Sequence, residues 1–173
     1  MTKLNRPFER AMALAALSGL KIALGPAFLT TSRKQPSSRN WVLAAMAEML
    51  VDKLGVLTSR SRLPLLIPHT VAGAWVAHQS MKEDGVYDSR TIPMGALVAA
   101  SVAICAPTVR VGVNKFLGVP DAVLGVAEDY LALHVGSEAT DISMPQIGAI
   151  ARESLSGIGE RVTPMLESVT AHR

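Results

Sequence analysis

Two windows of nineteen residues, 63–81 and 91–109, contain no Asp, Glu, Lys or Arg. As helices rising about 1.5 Å per residue, each would be about 28 Å long, close to the roughly 30 Å hydrocarbon thickness of a bilayer. A chain with two such segments must bury them in protein or surround them with lipid. Three more apolar stretches carry charge within them: 11–29 holds Lys21, 41–57 holds Glu48, Asp52 and Lys53, and 119–136 holds Glu128 and Asp129. A charge at the centre of a lone span costs roughly 3 kcal/mol on insertion scales, so these helices need polar partners inside a bundle.

The expected fold is therefore all-α, a polytopic helical membrane protein of about five membrane helices. Composition agrees, with 49% of residues hydrophobic, 4% aromatic and 18% charged. The apolar residues are mostly small or aliphatic, which suits close helix packing in lipid. A very apolar soluble bundle is the alternative. The basic segment 1–10 leads into an apolar run, but no small-residue cleavage site follows, so a retained first helix is expected. Residues 11–137 read as the membrane domain and 138–173 as a polar tail. In that tail Ile147, Ile150, Ala151, Leu155, Ile158, Val162 and Met165 recur at helical spacing, predicting a C-terminal amphipathic helix on the bilayer or on a protein partner bound through 142–173.

The net charge of +3 comes from scattered basic residues without interleaved aromatics, which excludes a nucleic-acid footprint. Cys105 is the single cysteine and reads as an inert packing residue. His69 and His78 fall on opposite faces of one helix, and no histidine pair has zinc spacing, so neither a metal nor a cofactor is expected. With five spans, basic residues divide seven to six between the two sides, a slight lean to a cytoplasmic N-terminus.

The candidate site is carboxylate-rich. Glu48 and Asp52 are four apart and share a helix face, beside Lys53. A cation or proton site is one reading; a helix ending near Ala47, with these charges in the headgroup region, is the other. Glu128 and Asp129 point about 100° apart in mid-segment, so a polar centre competes with ion pairs to Lys21 or Arg110. Lys21, Lys53, Arg60 and Arg110 are the candidate counter-charges. Gly73 with Ala77, and Gly95 with Ala99 and Ala103, recur every four residues and predict helix-packing faces, with homo-oligomers one consequence. Lys21 and Arg110 each lie near Gly and Pro and precede Ala47-Glu48 and Ala127-Glu128, with spacings that differ by nine residues. That pattern suggests an inverted repeat of the kind found in transporters, although chance recurrence in an Ala- and Gly-rich chain explains it as well.

The blocks Ala47-Glu48-Met49-Leu50-Val51-Asp52-Lys53, Ser59-Arg60, Val119-Pro120-Asp121 and Ala127-Glu128-Asp129-Tyr130-Leu131-Ala132 resemble, in this order, the domain of unknown function 4126 family of small bacterial membrane proteins. The resemblance covers residues 18–136. It implies an all-helical domain in the bacterial cytoplasmic membrane and marks Glu48, Asp52, Lys53, Arg60, Pro120, Asp121, Glu128 and Asp129 as polar family positions. It implies no activity. Lys21 stands where the family usually has Arg, and His69 where it often has a basic residue. The function expected is a small ion or solute channel or transporter with an intramembrane carboxylate cluster. The alternatives are a non-transporting scaffold that binds a partner through its C-terminal helix and, more remotely, a membrane enzyme acting on a lipid.

Overall fold

The computed structural model describes residues 7–53, 63–86 and 88–170; the side chains of 63–65 and 158–170 lie outside that description. Among the described residues the chain is all helical, with α1 Pro7–Leu20, α2 Leu24–Ser32, α3 Ser38–Lys53, α4 Leu63–Glu83, α5 Thr91–Leu117, α6 Asp121–Thr140 and α7 Met144–Thr170.

The stretch 11–29 departs from the expected single span. Pro26 has no N–H to donate to Ile22 and its ring would crowd that carbonyl, so the helix ends before it; in the first turn of α2 the same proline costs little. The chain then doubles back. Arg10, near the start of α1, and Arg33, just after α2, both pair with Asp84 beyond the end of α4. A Cβ on Gly25 of α2 would collide with Ser18 Oγ and the Leu14 carbonyl of α1. Helices α1 and α2 are therefore antiparallel arms of a hairpin. At about 1.5 Å per residue the nine-residue α2 is about 14 Å long, and Lys21 lies at the tip.

The doubling back also changes the suggested repeat. Helices α1 and α5 start at the same end of the bundle, so they run in parallel rather than inverted, while α3 and α6 run oppositely. The nine-residue difference in spacing equals the length of α2, which has no counterpart after Arg110; α5 continues through Pro107 and Arg110 to its left-handed cap at Gly118.

Small residues join α1, α4 and α5 closely. A Cβ on Gly73 would sit 2.8 Å from the Gly95 carbonyl oxygen, and one on Gly95 2.7 Å from that of Gly73. Ala77, Ala99 and Ala103 are buried in the same seam. Backbone meets backbone there, which the four-residue spacing of small side chains permits.

The exterior is strongly apolar. Phe116 is 84% exposed, Leu97 68% and Val71 61%, whereas buried Lys21 is 2% exposed. Cys105, expected to pack inside, is exposed on α5 beside outward-facing Ile104. One helix, Thr91–Leu117, is long and apolar enough to cross a membrane, judged by length and composition among the described residues. Helix α7 lays Ile147 and Ile150 over α2 and α3, so the first part of its apolar stripe is used within the chain.

Candidate functional site: a charged centre at the hairpin tip

Breaking a helix frees backbone groups, and side chains from other helices take up those at this tip. The Ile22 and Ala23 N–H groups donate to the two carboxylate oxygens of Glu48 on α3, at 3.0 and 2.8 Å. At the opposite stub, the Ser18 carbonyl accepts from His69 Nδ1 on α4 at 2.7 Å, which requires the proton on Nδ1. An anion beside free N–H groups at a helix start is favoured by the helix dipole as well as by the hydrogen bonds. Glu48 is thus a cap for the hairpin, a role its four-residue spacing from Asp52 does not reveal.

Lys21 projects from the same tip between two other helices. Its ammonium lies 2.7 Å from Asp52 Oδ2 on α3 and 3.4 Å from Asp129 Oδ1 on α6. Asp129 also pairs with Lys53, through its other oxygen. Lys53 therefore serves a carboxylate on another helix rather than its neighbour Asp52. Arg110 of α5 closes the group: Nη1 is 3.3 Å from Asp52 and 3.8 Å from Glu128, while Nε and Nη2 grip Asp121 at 2.6 and 2.7 Å. The last contact bridges the α5–α6 turn, with Asp121 mostly exposed. Arg60 lies outside the described residues.

Glu48, Asp52, Glu128 and Asp129 thus converge with Lys21, Lys53 and Arg110 from α3, α5, α6 and the tip of the α1–α2 hairpin. Among the described residues four carboxylates face three side-chain cations, and the hairpin N–H groups add donors to Glu48. Asp129 Oδ1 is buried and makes no hydrogen bond, although Lys21 lies within ion-pair range. Among the described residues no group of His, Cys, Asp and Glu has metal-holding geometry.

Sequence reading missed His69, whose partner is a backbone carbonyl, and a second network at the open end of the hairpin. There Arg33 pairs with Glu83 and Asp84, Arg10 with Asp84, and Gln35 and Gln79 both donate to Glu83 at 2.8 Å. Arg33 and Gln35 lie between α2 and α3, and Glu83 and Asp84 at the end of α4, where charge normally means solvent; only the opposite signs hinted at pairing.

Comparison with protein-family models, with curated proteins and with solved structures finds no match.

Proposed function

We propose that the chain is a small multi-pass membrane carrier that moves a cation, in the simplest case a proton, through the charged centre. In this reading α3, α4, α5 and α6 cross the bilayer and the α1–α2 hairpin enters it without crossing. The apolar exterior wrapped around buried charge supports the membrane setting, since large exposed apolar surfaces mark contact with lipid or protein. An irregular tip at membrane depth is tolerated where protein buries it, and broken helices commonly frame transport sites. The re-entrant hairpin also bears on orientation: among the described residues Arg10, Arg33, Lys34, Arg39, Lys82 and Arg90 gather at its open end, against Lys53 and Lys115 toward the other. By the positive-inside rule the open end faces the cytoplasm, of a bacterium if the family resemblance holds.

The observation that carries the reading is Lys21, 2% exposed and held between carboxylates of two different helices. Protonation of Asp52 or Asp129 would weaken one of its two ion pairs, giving the tip a reason to move with a proton. Liposomes containing the purified protein test this by proton, sodium, potassium and chloride flux. Cation or proton flux that falls at least tenfold, about 1.4 kcal/mol, in Asp129→Asn is expected; no flux, or flux indifferent to Asp129→Asn and Asp52→Asn, removes the proposal.

A non-transporting scaffold is the second reading. The dense pairing of the centre favours it, because paired buried charges can serve as a static lock. It would bind a protein partner, or a second copy of the chain, through 142–173, and loss of a co-purifying partner on deletion of that segment with the core intact would support it.

A further inference from the structure

Away from the charged centre, between α2, α3, α6 and α7, two cavities adjoin. The inner one, about 150 Å³, is lined by apolar residues such as Phe28, Met46, Met49 and Leu133. The outer one, about 690 Å³, has Lys34, Arg39, Asp141 and Glu153 in its walls. Thr31, Ile142 and Ile150 line both and mark their junction.

Three independent features make this more than a gap between helices. The Thr31 hydroxyl at the junction is buried without a hydrogen-bond partner, whereas Thr30 beside it donates to the Pro26 carbonyl at 2.8 Å. A buried polar group left unpaired is costly, and a ligand acceptor would relieve that cost. Among the described residues, the non-glycine residues with positive φ are Lys34 and Asp141, and both line the outer cavity. Both are left-handed residues at helix ends, Lys34 after α2 and Asp141 at the cap of α6, and this conformation brings them into the outer wall. Finally, among the described residues the outer wall sets two cations opposite two carboxylates. Arg39 reaches the Ser154 carbonyl only at 3.4 Å, a contact that a phosphate oxygen would readily replace.

We infer that the paired cavities bind a zwitterionic glycerophospholipid with a phosphoethanolamine headgroup. Its phosphate meets Lys34 and Arg39, its ammonium meets Asp141 and Glu153, an ester carbonyl accepts from Thr31, and the start of one acyl chain fills the apolar cavity beneath α7. The balanced wall selects this lipid over phosphatidylglycerol, which lacks an ammonium, and over diacylglycerol, which lacks both charges. The inference goes beyond cation transport and shares with it only the lipid setting, so loss of flux would leave it standing.

Native mass spectrometry of the full-length protein in detergent, titrated separately with phosphatidylethanolamine, phosphatidylglycerol and diacylglycerol, tests it. One molecule of phosphatidylethanolamine should be retained about tenfold more tightly than either competitor. The double variant Asp141→Asn, Glu153→Gln should abolish the preference over phosphatidylglycerol, and Ala151→Phe, which fills the inner cavity, should lower retention of phosphatidylethanolamine. Thr31→Val, nearly isosteric and so safe for folding, should weaken retention about threefold. Equal retention of phosphatidylethanolamine and phosphatidylglycerol, or wild-type retention in Thr31→Val, would overturn the assignment.

Discussion

The hairpin of α1 and α2 is held by ions at both ends, but under opposite conditions. At the tip, Lys21 is 2% exposed, and its partners Asp52 and Asp129 have side chains 9% and 10% exposed. At the open end, Arg10 and Arg33 are 26% and 32% exposed, although Asp84 and Glu83 are more covered. Contacts of the same kind therefore do different work. Water reaches the arginines of the outer network and also Lys53 of the inner one, which is 35% exposed, whereas Lys21 and the carboxylates beside it have little but protein to turn to. The outer network sets where the hairpin starts and stops; the inner one decides whether its tip can stay inside.

The largest effect separating the two ends should come from Lys21→Ala. It leaves Asp52 and Asp129 with one cation fewer in a buried site, a loss of about 3–5 kcal/mol where a buried pair is broken from one side. Thermal unfolding in detergent should show a markedly lower midpoint, or the yield should collapse. If Lys21→Ala is nearly as stable as wild type while Asp129→Asn still abolishes flux, the centre is a wet transport site and not a lock. If both stability and flux are unchanged, the contrast between the two ends fails altogether.

An intermediate effect is expected at Glu48→Gln. The amide keeps one acceptor for the Ile22 and Ala23 N–H groups but loses the charge and turns its NH₂ toward the other donor. A charged hydrogen bond lost next to a helix start should cost about 1.5–3 kcal/mol. Hydrogen exchange at Ile22 and Ala23 should accelerate more than at residues of α5. Uniform acceleration throughout the chain would show that Glu48 acts on global stability rather than on the tip.

Reading the sequence located the charged groups better than it located their partners. A carboxylate inside an apolar run is conspicuous, so Glu48, Asp52, Glu128 and Asp129 stand out from composition alone. Their pairing depends on how helices pack, and neighbour rules mislead: Lys53 lies next to Asp52 yet pairs with Asp129, 76 residues away. The all-helical class was legible because apolar runs were long enough for helices. The hairpin was not, since Ala, Leu and Gly continue across 11–29 and conceal the turn. Pro26 was the available signal. It marks a break without saying whether the chain then continues or reverses, and the reversal is fixed by distant Glu48, His69 and Asp84. Gly73 and Gly95, by contrast, carry their seam in their own spacing, because close backbone approach depends on what is absent from the side chain.

The smallest effect should be Asp84→Asn at the open end. The substitution weakens two partly exposed ion pairs while leaving a polar side chain that still hydrogen-bonds, and Arg33 retains Glu83 at 3.1 Å. A change of about 1 kcal/mol or less follows from the behaviour of exposed pairs. Salt provides the sharper comparison, because ionic strength screens accessible pairs far more than buried ones. Raising salt should therefore reduce the stability difference between wild type and Asp84→Asn, while leaving that between wild type and Lys21→Ala nearly constant. If the two differences shrank in parallel, ions would be reaching the tip as freely as the open end, and the centre would be hydrated from the protein surface inward.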